Sequence, residues 1–408
     1  MMKEINLENG IKIIVDKLPI DIIGIALLFN IGSIYEDKEY RGITNFENRI
    51  MFRSGNKKHI LKTLGDNGST YIIRTEESKS VFVIQTIKEK FKDIIDILYN
   101  CIINLQFENN EIENLKLEML NIIEKTNANG FSKLMNLIPT SVYGYSDYGE
   151  QIIGYENTIK NINEKILEEY KRKYYTPDNL IIFLEGNVDE DDINLLINYF
   201  SKIEGKREKI KNPSKDKGTN ITDYTSRPDF TYYASSINID AKKFPEYDPL
   251  IFLFTFGRDT LLKNILVKKY NISFNAAIRF LIYYDDEIIL SFYLERINGN
   301  RIYQLNKAIE EFLNEIKSID EKYIKKITYN FILDNYKVKF NLSERLFEDP
   351  LVLYPYTGKL FEDYNKELIN RMMNIKSKDI DEFSKIVEKV VYDGNYVVIN
   401  PLDKGMFI

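Results

Sequence analysis

Two kinds of hydrophobic spacing alternate along the chain. NGIKIIVDKL and IDIIGIALLFNIGS are alternating or continuous β-branched runs bounded by Asn-Gly and Gly-Ser, which predicts strands. Residues 44 to 53 and 58 to 66 carry helical patterning, and KSVFVIQTI returns to strand. From 90 to 104, Ile94, Ile95, Leu98 and Ile102 recur at helical spacing. A second helix over 109 to 125 puts Ile112, Leu115, Met119 and Ile122 on one face. NLIIFLEG, ending at Gly186, reads as a buried strand.

Residues 205–228 are polar, charged and almost without apolar pattern, which predicts a linker. Beyond it the order repeats. YYASSINID is a strand, DPLIFLFTF and DTLLKNILVKKY are helical, FNAAIRFLIY and EIILSFYLE are strands, and helices follow over 299 to 315 and 320 to 338. The expected architecture is α+β, with two tandem similar αβ domains, each a mainly antiparallel sheet packed by helices. Their expected bounds are 1–204 and 229–408, joined by the 205–228 linker.

Composition narrows the function. At 408 residues the chain exceeds one ordinary core, and 44% hydrophobic with 29% charged residues is the balance of a water-soluble globular protein. The 56 basic and 62 acidic residues are well mixed, so no continuous positive field invites nucleic acid. The opening MMKEINLENGIKIIV is acidic where a signal peptide is basic, and its apolar runs are too short to span a bilayer. The expectation is a cytoplasmic protein without a membrane partner. Cys101 is the single cysteine and His59 the single histidine. That leaves little room for a thiolate or imidazole metal site, or for a Ser-His or Cys-His pair.

GSIYEDKEYRGITNFENRIMF closely resembles the signature of the pitrilysin, insulinase and mitochondrial processing-peptidase family, in which Gly-Ser, an acidic pair and Gly-Ile-Thr lead into a zinc helix. The likeness continues in TIKEKFKDIIDILYNCIINLQF and through the tract Gly144 to Val188, and covers nearly the whole chain. It implies a metallopeptidase (LuxS/processing-peptidase-like) fold forming half of a clamshell.

The resemblance also implies what is missing. The family helix carries His-x-x-Glu-His, with two imidazole ligands one turn apart and a glutamate base for the zinc-bound water. Aligned on Gly42-Ile43-Thr44, those positions hold Asn45, Asn48 and Arg49. Arg49 is a permanent cation that cannot donate a lone pair to a metal, and it is a candidate replacement for the metal's charge. Glu47, one residue from the base position, is turned about 100° around the helix. The family's third ligand and its supporting glutamate fall on Ile122 and Leu115, expected to have been rebuilt as core. The substrate-side arginine and tyrosine fall on Val267 and Phe274, and the peptide-binding edge strand on Gly68, Ser69, Ile72, Ile73 and Thr75. The stretch Phe256-Gly257-Arg258-Asp259 is too short and glycine-poor for the capture loop of a noncatalytic processing-peptidase subunit.

Other candidates have plainer readings. His59 lies beside two lysines and reads as a surface residue, and Cys101 reads as an inert core thiol. The acidic clusters at 36–39, 189–192 and 285–286 lack the spacing of a calcium loop and read as solvated turns. The tyrosines between Tyr143 and Tyr175 read as packing before interface. The expected role is a noncatalytic subunit without a cofactor of its own, which shapes a chamber for extended peptides beside an active, zinc-bearing partner of the same family. The alternative is a homodimeric peptide-binding or structural scaffold.

Overall fold

A computed structural model describes residues 2–53, 60–103, 107–208, 210–225, 230–255, 259–339 and 341–401. His59 and Phe256 to Arg258 lie outside them.

The first sheet has six strands: β1 (Lys3–Asn6), β2 (Lys12–Lys17), β3 (Ile22–Phe29), β4 (Thr70–Thr75), β5 (Ser80–Ile87) and β6 (Leu180–Gly186). Their spatial order is β1-β2-β6-β3-β5-β4, and only β2 and β6 run parallel. The second sheet holds β7 (Ile221–Thr225), β8 (Thr231–Asp240), β9 (Ser273–Tyr283), β10 (Glu287–Ile297) and β11 (Asn395–Pro401) in the order β7-β11-β8-β10-β9. Only β7 and β11 are parallel there. Without β1, the first sheet has the same order and the same single parallel pair as the second. The repeat expected from the hydrophobic spacing is therefore a repeat of topology.

The domain division differs from the expected clean cut. One compact unit comprises Met1–Ile123, Ile152–Pro213 and Lys337–Phe361, and the other Glu124–Gln151, Ser214–Tyr336 and Glu362–Ile408. The helix Gly130–Tyr143, started by Asn129 accepting from the Ser132 amide at 2.9 Å, packs on β8 and β11 of the second unit. An amphipathic stripe says that a helix covers a sheet but not which sheet. The expected linker is tethered in the same way. Arg207 Nη2 donates to the Asn30 carbonyl at 3.0 Å, the Ser214 amide donates to Asp147 at 2.9 Å, and residues 221–225 are β7 itself.

Side-chain alternation in the first unit builds two cores. Ile13, Val15, Ile25, Leu27, Phe29, Phe82, Ile182 and Leu184 face one side, toward the helices α1 (Ile43–Ile50) and α2 (Asn109–Ala128). Ile14, Ala26, Leu28, Val81, Val83 and Phe183 face the other. That face is covered from far along the sequence by α3 (Leu342–Glu348), whose Leu342 and Leu346 are buried there with Leu351 and Leu360. Removing each leucine from water contributes about 1.5–3 kcal/mol. Gly24 makes the approach possible, since a Cβ there would lie 2.3 Å from a Leu346 methyl.

In the second unit, Tyr148 and Tyr284 pack with centroids 4.5 Å apart and Tyr143 sits against both, so these tyrosines pack as expected.

Candidate functional site

The site begins at Glu36, which the sequence places among solvated acids. It is fully buried, and its carboxylate accepts from the amides of Gly42 at 2.7 Å and Thr44 at 2.8 Å, fixing the entry to α1. Burial pushes its pKa up to about 7 against those donors. Gly42 enters the helix at φ +93°, and a Cβ on it would lie 2.9 Å from the Gly154 Cα, so the Gly-Ile-Thr turn is locked against the 153–154 backbone. The other acidic clusters also have partners: Asp189 caps the helix Glu190–Phe200 and binds Lys88 at 2.6 Å, and Asp286 binds Lys215 at 2.8 Å.

Within α1, Ile43, Phe46 and Ile50 enter the core, and the remaining positions divide between two polar environments. Asn48 is fully buried. Its amide nitrogen donates to Thr75 Oγ1 at 2.7 Å and Ser80 Oγ at 2.9 Å, and its oxygen accepts from the Tyr175 hydroxyl at 2.5 Å. The position of the expected base is thus a crosslink from α1 to β4, β5 and Tyr175, and an amide cannot take a proton from water at neutral pH.

At the next position, Arg49 Nε donates one turn back to Asn45 Oδ1 at 3.0 Å, and its Nη1 lies 3.7 Å from Glu118 on α2. Arg53 binds the same carboxylate at 2.8 Å. Glu118 is held below the usual carboxylate range, first by the hydrogen bond from Arg53, while desolvation lowers the pKa of Arg49.

These residues do not fit a zinc ion. The one neutral oxygen on α1 in a ligand position, Asn45 Oδ1, is taken by Arg49, and two guanidiniums already compensate the nearby carboxylate. Among the described residues no three His, Cys, Asp or Glu side chains converge as a metal-binding group. Leu115 is buried core beside Met119, as expected. Ile122 departs from expectation: it is half-buried and outside the core cluster, because α2 turns its 112, 115 and 119 positions inward.

The expected edge strand is β4, whose sole neighbour in the sheet is β5. Ile72 and Ile73 pack on opposite sides of it, Ser69 Oγ donates to Thr86 Oγ1 at 2.9 Å, and exposed Gly68 turns into the strand at φ +67°. Thr75 is the residue bonded to Asn48, so one side chain joins the strand to the position of the expected base on α1. In the second unit, Val267 is half-buried near the end of a helical stretch, and Phe274 on edge strand β9 is 70% exposed under the Arg296 guanidinium, 5.3 Å from the ring centroid.

Sequence reasoning missed the counter-ion Glu118, its second partner Arg53, and a buried pair behind α1. Glu47 is fully enclosed, neither oxygen has a hydrogen-bond donor, and burial raises its pKa to about 8. Lys171 is drawn down to about 8 by burial, against the attraction of Glu47, and it donates to the Cys101 carbonyl at 2.6 Å. Cys101 is a buried free thiol. An acid one position from a helix's polar face, followed by a lysine amid tyrosines, was the available signal.

Residues 13–155 match the insulinase peptidase family M16, and residues 161–326 match the M16 peptidase inactive domain. The chain is 24% identical over 210 residues to an uncharacterized zinc protease, YmxG, of Bacillus subtilis, covering 50% of this chain and 51% of that one. It is 22% identical over 191 residues to the mitochondrial-processing peptidase subunit beta of Dictyostelium discoideum, covering 46% and 41%. The chain thus spans about half the length of these curated relatives or less. A protease from Helicobacter pylori shares the fold, with a TM-score of 0.85 at 18% identity over 98% of both chains.

Proposed function

Because this chain belongs to the insulinase-type M16 peptidase family, we propose that it is a noncatalytic subunit of a processing-peptidase-type pair, shaping the peptide chamber of an active partner that carries the zinc. The observation that carries the reading is the Arg49 guanidinium bonded to Asn45 and facing Glu118 in the place of the family's metal helix. A zinc-bound water needs three lone-pair ligands and a base; α1 offers a cation, an engaged amide and a second amide with every bond made. The free edge of β4 retains the capacity to pair with an extended peptide, because strand addition uses main-chain groups. A relative named as a subunit of a processing peptidase favours assembly with a second chain of the same kind.

Affinity recovery of the tagged chain from its native cell tests this. The expected companion is a family chain with an intact His-x-x-Glu-His, and the purified chain alone is expected to hold far less than one zinc and to leave peptides uncut. Stoichiometric zinc with chelator-sensitive cleavage overturns the reading. Recovery as a homodimer, or with non-peptidases only, selects the scaffold alternative.

A further inference from the structure

On the face of the first sheet remote from α1, four ionisable side chains meet in the apolar layer under α3. Arg345 reaches Asp16 of β2 at 3.0 Å and Glu185 of β6 at 3.4 Å, with its guanidinium 5.1 Å from the centre of the Phe361 ring. Asp349, one turn beyond Arg345, completes the group. Arg345, Glu185 and Asp349 are essentially sealed from water, and Asp16 is buried.

The charges do not balance. Three carboxyl groups face one guanidinium, and neither oxygen of Asp349 nor Oε1 of Glu185 has a hydrogen-bond donor. The Phe361 amide is near enough to favour the Asp349 carboxylate, but it makes no hydrogen bond of good geometry. Asp349 and Glu185 lie within hydrogen-bonding reach of each other. As two carboxylates they repel in a dry site; with one proton between them they bond. Glu348 and Glu344 on the same segment act on each other: burial, then Glu344, raises the Glu348 pKa to about 7.

We propose that residues 342–361 form a proton-operated latch, docked on the back of the first sheet while Glu185 and Asp349 share a proton and loosened when that proton leaves. Burial, opposed by Arg345, brings Glu185 to about 7 from 4.5, and burial and Glu185 together raise Asp349 well above the ordinary range. A raised carboxyl contributes stability that is fully present below its unfolded pKa and is lost as pH rises through the folded value, so docking weakens as pH rises from about 7 through the raised range of the pair.

Hydrogen exchange read by mass spectrometry on the full chain tests the latch, with rates corrected for intrinsic exchange and peptides from β9 and β10 as reference. Between about pH 6 and about pH 8.5, protection of the 342–361 peptides is expected to fall by about tenfold relative to the reference. Asp349→Asn, whose amide can donate to Glu185 at any pH, is expected to abolish the fall, as is Glu185→Gln should the first variant fold poorly. Unchanged relative protection in the wild-type chain, or the same fall in either folded variant, overturns the proposal.

Discussion

Arg49 Nε donates to Asn45 Oδ1 at 3.0 Å across one turn of α1, so the two residues that align with the family's ligand positions bind each other. The pair lies at the surface end of a small network, with the Arg49 side chain 36% exposed and that of Glu118 42% exposed. Exposed ion pairs contribute little, and Arg53 holds Glu118 independently. Arg49→Ala is therefore expected to cost less than about 1 kcal/mol in urea unfolding. It should still bind no zinc, since Asn45 regains only one weak oxygen. A tightly bound equivalent of zinc in this variant, measured by elemental analysis after dialysis, would show that the guanidinium alone blocks a competent site.

Asn48 behaves differently because all its bonds are buried. Asn48→Leu fills similar space but strips partners from the hydroxyls of Thr75, Ser80 and Tyr175. Ser80 keeps its bond to the Ile31 carbonyl, which limits the damage. A loss of about 2 kcal/mol is expected by chemical denaturation, from unsatisfied groups rather than from a cavity. A loss below about 0.5 kcal/mol would mean that these hydroxyls repartner freely.

The two repeated sheets were legible because β-branched runs and helical stripes are local properties, and the strands fall where the spacing puts them. The chemical character of Asn48 and Arg49 was legible because neither side chain can act as base or metal ligand in any packing. What was not legible is non-local. Glu36 sits among acids and lysines that read as surface, and only the turn at Gly42 brings two amides onto its carboxylate. Glu118 shares a helix with Leu115 and Ile122, yet the rotation of α2 that presents it to two arginines, and leaves Ile122 half-buried, is set by packing. The exchange of Gly130–Tyr143 and α3 between the expected domains has the same cause, since an apolar stripe carries no address.

Buried carboxyls in the first unit give stability a direction with pH. Glu36 at about 7 and Glu47 at about 8 are both raised by burial, so their contributions are present below their unfolded value of 4.5 and are lost as pH rises through those values. Lys171, lowered to about 8 from 10.5, works in the opposite sense, its contribution being lost as pH falls through about 8. Two acids outweigh one lysine, so unfolding midpoints are expected to be higher near pH 6 than near pH 9. Glu47→Gln removes the buried charge, and its midpoint is expected to gain on the wild type as pH rises from about 5 to about 8. A difference constant across that range would contradict the assignment.

The turn into α1 makes the last prediction, because two constraints coincide there. Gly42 needs φ +93°, which an L side chain adopts only under strain, and a Cβ would meet the Gly154 Cα at 2.9 Å and the Ile153 carbonyl at 3.0 Å. The 153–154 backbone cannot give way as a flexible side chain would. Gly42→Ala is therefore expected to destabilise the chain by more than about 1 kcal/mol, the cost of the dihedral alone. It should also disturb the amides that Glu36 accepts, exposing that carboxyl. Gly65→Ala is the control, since a Cβ there meets nothing within 4 Å and its φ is not positive. Thermal unfolding of the two variants should separate them clearly, and equal midpoints would refute the claim that this turn holds α1 in place.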